Sequence, residues 1–253
     1  MRIDIIRRMF KWAVAQELVP PGQYEGLRAV PGLKRGRSTA KDDRIVSPVA
    51  EADVEKTLPF VSRHIRGMIE FQRLTGARSA EVCELRPCDI CRDGPVWLFR
   101  PTKHKTKNRG HDRVIYIGPK TQEILKPFMN IGDQEFVFSP RRCIDERHQA
   151  QRKSRKSKVQ PSQQSRKKAM PIRRLGDRYN SHAYRHAVRI ACQKGEVPFW
   201  HPHQLRHLAA TRLREEFGVE VARIVLGHRH LSVTEIYAEP NRKRAEEVMG
   251  KVG

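Results

Sequence analysis

Apolar residues recur along most of this chain at the 3.6-residue spacing of amphipathic helices. Over residues 3–19, Ile6, Met9, Phe10, Ala13, Val14 and Leu18 fall on one side, and Pro20-Pro21-Gly22 ends the helix. A short helical segment around 24–30 follows. Residues 31–47 are rich in Gly, Lys, Arg and Ser and read as a linker. Beyond it the pattern predicts helices over 50–58 and 62–74, and a third that starts near Ser79 and runs through Glu81, Val82 and Leu85. Two β-rich runs, 96–100 and 113–117, flank a polar turn and predict a hairpin. Pro119 opens a helix to about Met129. Three more helices are expected at roughly 181–194, 202–216 and 219–226, with Pro202 suited to a first helical turn. Too few strands alternate with helices for a parallel sheet. The expected fold is mainly α with a small antiparallel β-sheet, an α+β class.

Composition narrows the function. With a mean hydropathy of −0.69, the chain has no apolar run near the length of a membrane span. The start, MRIDIIRRMFKWAV, mixes charges through its apolar residues and does not read as a signal peptide. Five cysteines in 253 residues do not make a disulfide scaffold, and an odd count suits a reducing cytoplasm. The formal net charge of +23 exceeds what solubility requires and points to a polyanion, most often nucleic acid.

That charge is uneven. Residues 141–178 hold 14 basic and 3 acidic side chains, close to half the excess, with few large apolar residues. Such a stretch buries too little surface to offset its chain entropy, so it reads as a flexible basic insertion. Arg152, Lys153, Arg155, Lys156, Arg166, Lys167 and Lys168 are its candidate phosphate contacts. The expected organisation is a helical piece plus basic linker over 1–47 and a larger domain over 48–253.

Four segments carry candidate chemistry. LTGARSAEVCEL places Arg78 just after a glycine turn at a helix start. PTKHKTKNRGHDRVIYI sets Lys103, Lys105 and Lys107 at the hairpin. HPHQLRHLAATRL puts His203 and Arg206 three apart, on one helix face. LGHRHLSVTEIYAE places His228 nine residues before Tyr237. Each alone is unremarkable, since an arginine after a glycine turn is usually a surface charge.

Together, in this order and spacing, the four segments closely resemble the tyrosine site-specific recombinase (phage integrase) family, over about residues 48–240. The resemblance implies a helical catalytic domain with a small antiparallel sheet. It also implies double-stranded DNA as partner, strand cleavage and rejoining without metal, ATP or other cofactor, and a homotetramer on paired DNA sites. The expected location is cytoplasmic, at the nucleoid. RMFKWAVAQELVPP resembles the last helix of the family's core-binding domain, so 1–47 reads as a remnant of that DNA clamp.

The roles make physical sense. A phosphodiester is already negative and its leaving alkoxide is poor, so metal-free cleavage needs fixed cations at the non-bridging oxygens. Arg78 and Arg206 supply permanently charged planar forks. Their contacts strengthen as charge builds in the transition state. His228 adds a donor, and Tyr237 is the nucleophile that forms a 3′-phosphotyrosyl link. Lys105, placed before Thr106, protonates the departing 5′ oxygen, with Lys103 and Lys107 as the other candidates. His203 either assists proton transfer from Tyr237 or holds the site together. Glu81 and Asp89 read as structural partners of nearby donors, and His207 as a supporting neighbour.

Other readings carry less of the pattern. Cys83, Cys88 and Cys91 mimic one iron–sulfur spacing but lack a fourth ligand, and Cys83 falls on an apolar helix face. His201, His203 and His207 cluster in the sequence, yet a two-metal nuclease would need grouped carboxylates that the hairpin and the H-x-x-R segment lack. No metal is expected. A type IB topoisomerase would use a similar active site, and a DNA-binding regulator would need no catalysis.

Because the bulk charge and the catalytic cations are separate, neutralising the basic cluster at 152–168 should weaken DNA binding at moderate salt. Single-turnover cleavage at saturating DNA should stay near wild type. A collapse of that cleavage rate would place the cluster in the active site.

Overall fold

The computed structural model describes residues 2–32, 46–102, 113–161 and 175–227. The chain divides into two compact units, residues 1–46 and 47–253.

In the first unit, α1 (Arg2–Ala15) and α2 (Pro21–Ala29) form a helical pair. Pro20, in extended backbone, separates them, and Arg7 ties them by donating from Nε to the Leu27 carbonyl at 2.9 Å. None of the described residues of this unit is buried, and Ile5, Met9 and Trp12 on α1 are more than half exposed.

The second unit is built around α4 (Arg63–Thr75). Ser62 caps its start by accepting from the Ile65 amide, and Gly76 ends it in the left-handed region at φ 63°. Met68, Ile69 and Phe71 are fully buried along it. Around it lie α3 (Glu51–Thr57), α5 (Ser79–Cys83), α6 (Pro119–Leu125), α7 (Pro140–Lys153), α8 (Ser181–Lys194), α9 (Pro202–Phe217) and α10 (Val219–Leu226). α4 packs on α5, α6, α7 and α9, and α9 packs on α10. The core is closed by Phe99, Ile115, Ile117, Leu125, Phe138, Tyr184, Trp200 and Leu205.

Three short strands, β1 (Ile90–Cys91), β2 (Trp97–Phe99) and β3 (Ile115–Ile117), pair antiparallel in chain order. Phe99 lies opposite both Ile90 and Ile115. Ile115 and Ile117 point inward while Tyr116 is exposed, the alternation of a half-buried strand. The helix periodicities and the hairpin strands appear where the sequence placed them, and β1 is additional to the expected hairpin. Its two residues are too few for a period to show.

One expectation needs correction. The stretch 141–178 does not begin as a loop, because α7 is a 14-residue helix occupying its first third. Ser139 accepts from the Arg142 amide and Pro140 sits in the first turn. What holds α7 is polar. Glu146 Oε1 lies 2.9 Å from Arg63 Nη1 and 3.4 Å from His64 Nε2, and Arg142 Nη2 donates to the Val137 carbonyl at 2.8 Å. A count of apolar residues could not see that anchoring. Residues 162–174 of the same stretch lie outside the described residues.

The contact of α4 with the segment leading into α7 is tight at Gly67. A Cβ there would come 2.8 Å from Phe138 Cε1 and 3.0 Å from Phe128 Cε2, inside an edge-to-face pair whose centroids are 5.2 Å apart. Gly67→Val should therefore destabilise the domain by about 1–3 kcal/mol through overpacking. That exceeds the few tenths of a kcal/mol that Val gains over Gly in helix propensity. A thermal midpoint at or above wild type would show that the two rings yield freely.

Candidate active site

Three elements meet behind Gly76: the turn from α4 to α5, the first half of α9, and the end of α10. Gly76 takes positive φ, and a Cβ on it would come 2.5 Å from Leu226 Cδ2 and 3.4 Å from Ala209 Cβ. Glycine is required there for both reasons. α9 starts at His201, whose amide donates to Gln204 Oε1 at 3.0 Å, with Pro202 in the first turn. One turn in, Arg206 is 1% exposed. Its Nη1 donates to the Gly76 carbonyl at 2.6 Å and its Nη2 to the Leu226 carbonyl at 2.8 Å. These bonds fix the plane of the guanidinium and join residues 130 apart in the chain.

Arg78 follows two residues after Gly76 and stands before the first turn of α5, its side chain 28% exposed. Glu81 reaches back to it twice: Oε2 accepts from the Arg78 amide at 2.8 Å, and Oε1 lies 2.7 Å from Nη1. Glu81 is 2% exposed. Burial pushes its carboxyl up, but the guanidiniums of Arg113 and Arg78 together hold it below the ordinary carboxylate range. Asp89 in turn holds Arg86, with Oδ2 2.9 Å from Nε. Both acids are partners of nearby donors, as expected.

His203 and His207 lie on one face of α9, ring centroids 4.9 Å apart and edge to face. Burial, then the positive charges of Arg206, His201 and Arg78, lower His203. Arg78 and Arg206 thus act electrostatically on the same imidazole. His207 is pushed down to about 4, first by burial and then by His203, His201 and Arg206. Both rings are thus held in the neutral form near pH 7.

The structure therefore brings together Arg78, His203 and Arg206. Lys103, Lys105, Lys107, His228 and Tyr237 lie outside the described residues, as do Arg166, Lys167 and Lys168. Arg152 and Lys153 sit exposed in the last turn of α7, and Arg155 and Lys156 are exposed just beyond it. Cys83 is buried at 2%, and burial pushes its thiol up to about 12, the opposite of what a thiolate ligand needs. Among the described residues, no three His, Cys, Asp or Glu side chains gather as metal ligands, and no helix is long and apolar enough to cross a membrane.

One member of the cluster escaped the sequence reading. Arg113, two residues before β3, is 5% exposed. Its Nε lies 3.5 Å from Glu81 Oε1, and its Nη1 donates to the Val225 carbonyl at 3.1 Å and to the Val114 carbonyl at 3.0 Å. The signal was present, because Arg113, Ile115 and Ile117 share one phase of the strand alternation and the isoleucines face the core.

With this geometry in place, comparison with known proteins is informative. Residues 49–244 match the model of the Phage integrase family. The chain is 23% identical over 247 residues to the tyrosine recombinase XerD of Ralstonia nicotianae, covering 96% of this chain and 69% of that protein. It is 22% identical over 245 residues to the tyrosine recombinase XerC of Bacillus subtilis, covering 96% and 70%. In three dimensions it resembles a lambda integrase dimer bound to a COC′ core site, with TM-score 0.62 and 15% identity over 94% of this chain and 72% of that one.

The neutral state of His207 predicts a pH dependence. The unfolded imidazole titrates near 6.5 and the folded one near 4. The unfolded chain therefore takes up the proton first, and stability is lost as pH falls from about 6.5 towards 4. We expect His207→Gln to lose less thermal midpoint than wild type between pH 7 and pH 5. Equal losses would mean that His207 does not titrate in this range.

Proposed function

The chain belongs to the phage integrase family, and on that premise we propose that it is a site-specific DNA recombinase that cuts and rejoins strands through a covalent phosphotyrosine. The observation that carries this reading is that Arg206, three residues after His203 on α9, bonds the Gly76 carbonyl two residues before Arg78, so that two distant segments bring the three side chains to one place. Two permanent cations beside a neutral imidazole suit a phosphodiester in the absence of metal.

In the proposed reaction the DNA phosphate sits against Arg78, Arg206 adds its fixed positive charge from its buried place on the Gly76 and Leu226 carbonyls, and His228 is a further donor. The Tyr237 oxygen attacks phosphorus and its proton passes to neutral His203. The bond from phosphorus to the 5′ oxygen breaks, and Lys105 protonates that oxygen. Lys103 and Lys107, two residues to either side of Lys105 in the sequence, contact the DNA backbone. Rejoining reverses each step: the 5′ hydroxyl attacks the phosphotyrosine, Lys105 takes its proton, and Tyr237 leaves. The bond energy is kept in the ester, so no ATP is consumed.

Binding is assigned to the basic residues at Arg152, Lys153, Arg155 and Lys156, continued by Arg166, Lys167 and Lys168. Their phosphate contacts are independent of base sequence. Residues 1–47 are assigned to DNA clamping, with α1 corresponding to the last helix of the family's core-binding domain. Strand exchange between two sites requires four active centres, so the working assembly is a homotetramer on paired double-stranded sites. The DNA-bound state of the lambda integrase that the fold resembles supports DNA as the partner. The place of action is the cytoplasm, at the nucleoid.

A nicked suicide substrate traps the intermediate. The wild-type chain should give a covalent protein–DNA adduct that persists in a metal chelator, and Tyr237→Phe should give none. Arg78→Ala should slow adduct formation by an amount equal to about 2–4 kcal/mol of barrier, as for loss of one oxyanion donor. An adduct of undiminished yield in Tyr237→Phe would overturn the assignment of the nucleophile.

A further inference from the structure

α10 ends at Leu226, and the chain then passes through Gly227 into His228, the segment that also carries Tyr237. The last carbonyls of a helix lack internal partners and carry the negative end of its dipole. Here two neighbouring carbonyls are each met by a buried guanidinium. Leu226 accepts from Arg206, and Val225 accepts from Arg113. Gly227 is pressed against the second of these. It has φ +64°, and a Cβ on it would come 2.5 Å from Arg113 Nη1 and 3.2 Å from Cδ and Cζ.

The contacts close a circuit. Arg206 runs from Leu226 to Gly76, and the backbone from Gly76 leads to Arg78. Arg78 pairs with Glu81, Glu81 lies beside Arg113, and Arg113 returns to Val225. Among the described residues, Arg113 joins the acid that orients Arg78 to the end of α10, which leads into His228. It lies two residues before β3 and outside the segments that carry Arg78 and Arg206.

We propose that Arg113 is a positioning residue for strand cleavage, holding the end of α10 in register with Arg78 through Glu81 and the Val225 carbonyl. This rests on the recombinase reading for its activity consequence. Its structural consequence stands apart from that reading. Arg113 touches no DNA in this account. It sets where the chain leaves α10, and a misplacement of about 1 Å in a reacting group costs on the order of 10²-fold in rate.

The test compares wild type, Arg113→Met, Gly227→Ala and the double variant. Cleavage of the nicked substrate at saturating DNA should slow about 10²-fold in Arg113→Met. Affinity for the same DNA should remain unchanged, a split that general loosening of the fold would not produce. Hydrogen exchange of the unliganded protein should rise over residues 219–227 and stay level over 63–75. Gly227→Ala pushes on the same guanidinium and also strains the backbone at φ +64°; it should slow cleavage likewise, and the double variant should be no slower than the worse single one.

Wild-type cleavage in Arg113→Met, or unchanged exchange over 219–227, would overturn the proposal. If Arg113→Met does not fold, Gly227→Ala decides by the same two readouts. A wild-type chain that forms no adduct would defeat the recombinase reading and leave the exchange result to decide this one.

Discussion

A single buried guanidinium organises the functional end of this protein. Arg206 is almost wholly out of water, and it bonds the Gly76 carbonyl on one side and the Leu226 carbonyl on the other. An isolated buried cation is costly, so its position is tolerated because main-chain oxygens take its N–H groups at short range. The same bonds satisfy carbonyls at the ends of α4 and α10 that their helices leave open. The Gly76 turn, the start of α5 and the end of α10 are thus located by one side chain from α9. Gly76 itself must be glycine, because Leu226 and Ala209 leave no room for a Cβ.

The electrostatics follow from that arrangement. Arg78 and Arg113 share Glu81, so the pairing leaves an excess of positive charge beside Arg206. Burial first, then nearby positive charge (Arg206, His201 and Arg78 for His203; His203, His201 and Arg206 for His207), lowers both imidazoles. A site with fixed cations and neutral imidazoles favours an arriving phosphate and can still accept a proton. Glu81 works in two directions: it stays ionised despite its burial because two guanidiniums face it, and it holds Arg78 by both backbone and side chain.

Much of the fold was legible in the sequence because its elements are amphipathic or capped. α8, α9 and α10 fall within a residue of their expected ends, each marked by Asn180, Pro202 or Gly218. α7 was missed because its anchors are Glu146, Arg142 and Arg63, and ion pairs across 83 residues leave no periodic trace. For the site, Arg78, His203 and Arg206 were legible through order and spacing. That Arg206 would be buried and bound to main chain was not, since its partners lie 130 and 20 residues away. Arg113 was half legible: the strand phase put it on the core face, but only the folded chain shows Glu81 and Val225 waiting there.

The large net charge and the catalytic charge are separate quantities. Close to half of the first concentrates in 141–178, to which affinity and salt response are assigned. The second resides in a few guanidiniums whose value lies in fixed position against a developing negative charge. The most direct test of that claim removes the charge from the DNA instead of the protein. A scissile phosphate replaced by a methylphosphonate lacks one anionic oxygen. If Arg78 acts by neutralising it, Arg78→Ala should impair cleavage of the methylphosphonate far less than cleavage of the ordinary phosphate. Equal impairment on both substrates would contradict the account and return Arg78 to a purely structural part.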